Sequence, residues 1–310
     1  MRGIVGLAVA LTLVAPRARA AENSEEREPR GLADVEMVVG AGQVEALQPV
    51  LAGNLSGQLR YERALTDVAA VGFVVSGRYD VTRGFSLGAR VPIAVAVLAP
   101  DGDTSRGDAN LGNVELEAEG EVELSKKATL FAGLGLALPT SSGSELPSED
   151  ELAGDQAGVD AVSADRFAVN EAVSSAYGDE QSALWLAGYF GVVPAVGARF
   201  QIDRVRIEPY AKLESLVSVR PEADERAIVE LVAGGRVAVR IVKGFDLGVR
   251  AWGTFTLTNH EGDGNTAVIE PEARVGGERW RVTAGVLVPV AGELFDRGWV
   301  AGRLSGTVAF

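Results

Sequence analysis

Phe245-Asp246-Leu247-Gly248-Val249-Arg250-Ala251-Trp252-Gly253-Thr254-Phe255-Thr256-Leu257 is the stretch whose reading decides the fold. Phe245, Leu247, Val249, Ala251, Phe255 and Leu257 share one parity, while Asp246, Arg250, Trp252, Thr254 and Thr256 share the other. An extended chain turns successive side chains to opposite faces, so this is a strand with one apolar and one polar face. The pattern repeats on both sides of it. Val114, Leu116, Ala118, Val122 and Leu124 alternate with Glu115, Glu117, Glu119, Glu121 and Glu123, and Val205, Ile207, Ala211 and Leu213 alternate with Arg204, Arg206, Glu208, Tyr210, Lys212 and Glu214. Twelve such segments are read at 51–62, 69–82, 85–98, 110–125, 128–141, 183–202, 204–219, 226–242, 245–258, 266–276, 279–291 and 299–310. Residues 35–45, with Val35, Met37 and Val39 in alternation, are either an extra strand or a lumen segment.

Alternation alone does not say which face meets the core, because soluble sandwiches alternate too. The connections choose. After every second segment the turn is short: Thr82-Arg83-Gly84, Ser125-Lys126-Lys127, Asp203, Lys243-Gly244 and Gly277-Glu278. The intervening connections, Ala64 to Val68, Pro100 to Ala109, Ser142 to Ser182, Arg220 to Glu225, Asn259 to Asn265 and Gly292 to Gly298, are mostly longer and more acidic. One tight end and one ragged end is the asymmetry of an antiparallel transmembrane β-barrel, with short periplasmic turns and long extracellular loops. An Arg or Lys on the lipid face near the midplane costs roughly 2–4 kcal/mol. The apolar sets contain no charged residue, although 23% of the chain is charged.

The ends agree. Arg2, the apolar run Gly3 to Ala15 and Ala18-Arg19-Ala20 read as a cleaved signal peptide over 1–20, followed by a solvated N-terminal periplasmic tail over 21–50 and a barrel over 51–310. No other stretch reaches the roughly 18 apolar residues of a helical span, so the 47% hydrophobic content is dispersed. There is no Cys, which removes disulfides, thiolate metal sites and a lipidated Cys. The net charge of −14 becomes −17 once Arg2, Arg17 and Arg19 leave with the leader, and argues against nucleic acid as a partner.

At the other end Val300, Gly302, Leu304, Gly306, Val308 and Phe310 alternate with small and polar residues, and the chain stops on the aromatic. This resembles bacterial outer-membrane β-barrel proteins, whose last strand ends in Phe or a similar aromatic. The resemblance implies that Phe310 is an assembly signal read by the barrel assembly machinery, with outer-membrane lipid as the surroundings. Phe85 to Pro92, Gly107 to Gly112 and Leu134 to Gly143 are similar to an arrangement in transporter-like outer-membrane barrels, a strand ending in Pro, a Gly-Asp loop and a strand ending Leu-Pro-Thr. That likeness covers about sixty residues. It implies a porin- or transporter-like barrel, and proposed roles for such barrels include passage of small hydrophobic molecules; it names no solute for this chain.

The chemistry-bearing candidates are lumen-lining charges: Glu115, Glu117, Glu119, Glu121 and Glu123 along one strand, with Arg78, Arg90, Arg206, Arg236, Arg240, Arg250 and Arg281. Like charges about 7 Å apart on one strand repel and need cations or water. Two readings stay open: a charged pore lining that selects small solutes, or an ion-paired interior that closes the lumen of a structural or surface-interaction barrel. The segment Ser142 to Gln181 holds ten acidic residues and one base, Arg166, and reads as a solvated extracellular loop, a divalent-cation binder or a pore constriction. Ala164 to Tyr177 has helix-compatible spacing, a short helix over the pore mouth. No catalytic constellation is found: His260, the sole His, sits beside Glu261 and Asp263 in a turn, and no G-x-S-x-G, P-loop or dinucleotide motif implies an enzyme, a cofactor or a metal. Trp185, Trp252, Trp280 and Trp299, with Tyr61, Tyr79, Tyr189 and Tyr210, read as belt or core aromatics.

Overall fold

A computed structural model describes residues 31–51, 59–99, 105–142, 161–219, 227–258, 265–277 and 279–310. The strands are β1 (Gly31–Leu51), β2 (Leu59–Thr82), β3 (Phe85–Ala99), β4 (Arg106–Leu111), β5 (Val114–Ser125), β6 (Ala128–Leu138), β7 (Tyr189–Ile202), β8 (Val205–Ser218), β9 (Ala227–Val242), β10 (Phe245–Thr256), β11 (Thr266–Gly276), β12 (Trp280–Gly292) and β13 (Val300–Ala309). Among the described residues three helices lie between them: α1 (Ala161–Ala176), α2 (Ser182–Trp185) and α3 (Glu293–Asp296). Each strand pairs antiparallel with its neighbours, and β1 pairs with β13 from Leu32↔Ala309 to Ala41↔Val300, which closes an all-β barrel of twelve wall positions. Closure removes the unpaired edges that make an open sheet a template for aggregation.

β4 is the thirteenth strand and shares one wall position with β5. β3 pairs with β5 along Phe85–Arg90 and with β4 along Ile93–Leu98, so the position is one strand interrupted at Gly112-Asn113. Asn113 turns its amide into the barrel, where Nδ2 donates to the carbonyls of Ala183 (2.9 Å) and Leu186 (2.8 Å).

Three expectations need correction. Gly31–Leu51 is the first wall strand and not part of a solvated tail. Its partner β2 runs unbroken from Leu59 to Thr82, absorbing the segments 51–62 and 69–82 together with the supposed loop Ala64 to Val68. The ladder continues through these polar residues because they lie at the loop end of the wall, where cross-strand contacts such as Gln43 Nε2 to Asp67 Oδ1 (2.9 Å) form in water. The twelvefold count therefore survives with one strand gained and two merged. Third, the segment 183–202 is a strand only from Tyr189; Ser182–Trp185 is a helical turn inside the lumen.

The faces divide as the alternation predicts along most of each strand. Val35, Val75, Ile93, Val95, Leu116, Leu247, Val249 and Val286 are exposed on the outside, while Arg78, Arg90, Glu115, Glu208, Arg236, Arg250 and Glu270 are buried within. Aliphatic side chains in contact with the surroundings and ionic ones enclosed is the reverse of a water-soluble protein. Tyr79 and Trp280 stand exposed near the short-turn end, in the place of an interfacial aromatic belt. Trp185, Trp252, Trp299, Tyr189 and Tyr210 are instead buried.

The two-faced pattern fails in one region. The loop-end halves of β1, β2 and β3 are apolar inside as well: Val38, Val44, Ala70, Val74, Ala94, Ala96 and Leu98 are buried. They form, with α1 and its neighbours, a hydrophobic core inside the barrel.

Candidate functional site in the barrel lumen

The connection between β6 and β7 enters the lumen instead of standing over it. α1 packs on β1, β2, β3 and β4, and Phe167, Ala168, Val169, Ala172, Val173 and Ala176 are fully or almost fully buried. Small residues let helix and wall approach closely. A Cβ at Gly72 of β2 would stand 2.5 Å from Val173 Cγ1 and 2.6 Å from the Tyr177 ring, so a side chain there would push the helix off. Burying each large apolar side chain contributes about 1.5–3 kcal/mol. Two polar residues of α1 are enclosed with partners: Asn170 Nδ2 donates to Ser141 Oγ (2.6 Å), and Glu171 pairs with Arg297 (2.9 Å) beside α3.

The helix stops at Gly178. The N–H of Gly178 donates to Ser175 O (2.9 Å) and that of Asp179 to Ser174 O (3.4 Å), the paired 5→2 and 6→1 bonds of a Schellman C-cap. Gly178 takes φ 73° and Asp179 φ 47°, left-handed positions that glycine and aspartate tolerate best. At Gly178 a Cβ would also meet the Trp252 ring at 2.7 Å. The cap turns the chain back so that residues 178–182 form the tip of a plug gripped by the surrounding wall.

The grip is ionic and hydrogen-bonded. Glu180 is completely buried, forms an ion pair with Arg250 and accepts a hydrogen bond from Tyr210 Oη (2.6 Å), and its carbonyl accepts one from Lys212 Nζ. Arg250 also pairs with Glu270 (3.0 Å) and lies 4.4 Å from the Trp252 ring centre. Trp252 Nε1 donates to Gly178 O (2.9 Å), Thr254 Oγ1 to Asp179 O (2.6 Å), Arg90 Nη2 to Gln181 Oε1 (2.8 Å), Ser182 Oγ to Glu230, and Ala183 N to Glu214 Oε2 (2.9 Å). Wall positions β3, β8, β9 and β10 all take part.

Toward the short turns the lumen is ionic. Arg90 pairs with Glu115 and with Glu117 (2.7 Å); Arg78 bridges Glu119 (2.8 Å) and Glu121 (3.9 Å); Arg199 reaches Glu121 (2.9 Å) and Glu119 (3.6 Å). The glutamate row along β5 is thus held by guanidinium groups from β2, β3 and β7. Arg236 pairs with Glu272 and approaches Glu208 (3.7 Å), and Arg206 approaches Glu208 (3.9 Å). Arg281 faces the same end of the lumen. Glu123 and Arg240 do not line the interior: Glu123 meets Arg83 (3.7 Å) and Arg240 meets Asp246 (3.7 Å) on the exposed short-turn rim, where β5 and β9 run out.

Sequence reasoning did not find Glu180, Glu214, Glu230 or Lys212 as members of the site. Asp179 and Glu180 were expected on a surface loop and are enclosed instead, because Arg250 and the hydroxyls of Thr254 and Thr266 offer partners inside. The signals existed: Val68 to Val75 and Val91 to Leu98 are apolar on both faces, which a water-lined wall does not need, and Tyr177-Gly178-Asp179 is a helix stop. His260 and the acidic residues at 145–160 lie outside the described residues. Among the described residues no cluster of three metal-ligating side chains occurs.

Asp179 makes the plug sensitive to pH. Burial, with Glu293 nearby, pushes its carboxyl from 3.8 up to about 7, against hydrogen bonds from Ser174 and Thr266 that lower it. The seated state holds a proton that a withdrawn segment would release, so seating is strongest below about pH 4 and weakens as pH rises toward about 7. Protease cleavage within 161–188 is expected to quicken over that window in the wild type and to do so less steeply in Asp179→Asn, where the remaining dependence comes from Glu171, whose carboxyl burial pushes up to about 8. An unchanged profile in that variant would refute the assignment to Asp179.

No protein-family model and no curated protein matches the chain. Solved structures do. An outer membrane channel from Pseudomonas putida F1 is similar over 93% of this chain and 100% of its own, with a TM-score of 0.58 and 11% identity. The KdgM porin aligns over 88% of this chain and 99% of its own with a TM-score of 0.43 and 8% identity, and the CymD monoaromatic hydrocarbon channel over 100% and 95% with 0.45 and 8%. The chain has the fold of the bacterial outer-membrane β-barrel channels.

Proposed function

We propose that the protein is an outer-membrane channel or transporter for small solutes whose lumen is closed at rest by its own segment Ala161–Gly188. The observation that carries this reading is the separate filling of the lumen. In a barrel built only as a structural post, inward wall side chains suffice to fill the interior. Here the loop-end half is lined by small residues and filled by a helix inserted from a loop, a part that can leave without breaking the wall ladder. Under this reading the short turns face the periplasm, the long loops face outward, and the leader over 1–20 directs export. Phe310, 70% exposed and joined to Gly31 through paired backbone bonds (2.9 and 3.0 Å), is where the assembly machinery would read the last strand.

The ion-paired lumen supports a second reading, a closed barrel without conductance. Planar-bilayer recordings separate the two. The wild type is expected to show rare openings, and a variant with residues 161–187 replaced by a short Gly/Ser linker is expected to conduct steadily. A shortened barrel that migrates as a heat-modifiable folded species yet passes no current would favour the closed structural barrel.

A further inference from the structure

We infer that the short-turn half of the lumen contains a binding site for a small oxyanion, a carboxylate or phosphate group, on the wall formed by β9 to β13. The ligand class deepens the channel reading and rests on it for passage of the anion along the lumen, but not for binding.

A cavity of about 40 Å³ lies there, lined by Arg236, Arg274, Arg281 and Arg303 and by the hydroxyls of Thr283 and Ser305. With Arg250 it brings five guanidinium groups against three carboxylates, Glu36, Glu270 and Glu272. Two of these carboxylates are already engaged: Glu272 by Arg236, and Glu270 by Arg250 (3.0 Å) and Arg303 (3.5 Å). Arg250 and Arg236 are also paired outside the cavity, with Glu180 and with Glu208 (3.7 Å), so what remains is a set of enclosed N–H donors without acceptors and not a surplus of charge. Arg274 is 8% exposed and Arg303 7%; Nε and Nη1 of Arg274 and Nη2 of Arg303 have no hydrogen-bond partner, and Arg303 Nε has only its 3.5 Å approach to Glu270.

Register explains the unmatched donors. Arg274 sits opposite Asp246 and Thr283, but Asp246 is drawn to Arg240 at the rim (3.7 Å). Arg281 faces Arg206 and Arg236 across the lumen, with Asp246 and Glu208 as the acids in range. Buried guanidinium N–H groups without acceptors are costly, and an oxyanion meets several at once in the planar geometry that guanidinium groups recognise. Thr283 and Ser305 add neutral donors. The size admits an anionic head group with a water or two, so a larger solute would be held by its charged end.

The site can be tested in the full-length barrel purified in detergent, with no demand that it conduct. Isothermal titration at low ionic strength with inorganic phosphate and, separately, with succinate is expected to show saturable one-site binding that weakens as salt is raised. Arg281→Gln, at the half-exposed mouth, and Arg274→Gln, at the buried wall, are each expected to weaken binding at least about tenfold. Arg83→Gln, on the exposed rim beside Glu123 and away from this wall, should leave it unchanged. Stronger binding of phosphate would assign a phosphorylated ligand, and stronger binding of succinate a carboxylate. Absence of saturable binding for both probes, or wild-type affinity in both the Arg281 and Arg274 variants, would overturn the site. A barrel that binds these anions but never conducts would defeat the channel reading and leave the site standing.

Discussion

Arg250→Ala is expected to release the tip of the plug while the barrel wall stays assembled. The substitution strands the completely buried Glu180, leaves Glu270 with Arg303 alone (3.5 Å), and removes the cation over Trp252. Breaking a buried pair by deleting one partner costs about 3–5 kcal/mol, chiefly because the remaining charge is left without compensation. That loss falls on the seated state, since a withdrawn segment returns Glu180 to water. The ratio of seated to withdrawn tip should drop by roughly two to four orders of magnitude. α1 retains its apolar contacts with β1, β2 and β3, so the release is expected at residues 178–188 first. Limited proteolysis and single-channel openings report it, and unchanged cleavage with unchanged openings would show that the Glu180–Arg250 pair is not the latch. The double variant Glu180→Leu with Arg250→Met should be milder than Arg250→Ala alone, because it removes both charges and fills similar volume.

Val249→Arg is expected to impair assembly far more than Thr256→Arg. Val249 lies in the middle of β10 on the outward face and is 48% exposed, whereas Thr256 is the last residue of the strand, at the loop end of the inward parity. An Arg at the bilayer midplane costs about 2–4 kcal/mol, and the cost falls toward the interface. The fraction of heat-modifiable folded barrel recovered from membranes should therefore collapse for the first variant and change little for the second. Equal yields would mean that the outward face of β10 does not meet lipid.

The contrast between these two experiments follows from how each feature is written in the chain. The wall was legible residue by residue. A face that meets lipid excludes charge and a face that encloses water or ion pairs accepts it, so Leu247, Val249 and Phe255 against Asp246 and Arg250 suffice to orient a strand. The alternation of tight and ragged connections then orders the strands. The first strand was less visible because Gly31–Leu51 mixes Asp34 and Glu36 with a loop-end half that is apolar inside and partly polar outside. β2 was read as two strands because Glu62, Arg63 and Asp67 mimic a loop at the place where the wall rises out of the apolar band.

The arrangement inside the barrel depended on tertiary structure. An inward Glu or Arg is recognisable from parity, but its partner lies on another strand, and pairing across the lumen follows from register and barrel curvature that no local pattern encodes. Glu180 in a solvated loop and Glu180 beneath Arg250 have the same sequence neighbours. What distinguishes them is the space that small residues on β1, β2 and β3 leave for α1, together with hydrogen-bonding groups from four wall positions converging where the Schellman cap at Gly178 turns the chain. The two-sided lipid barrel was therefore determined by the order of side chains along each strand, while the plug and the unspent guanidinium groups beside it were decided only when strands distant in sequence came to face one another.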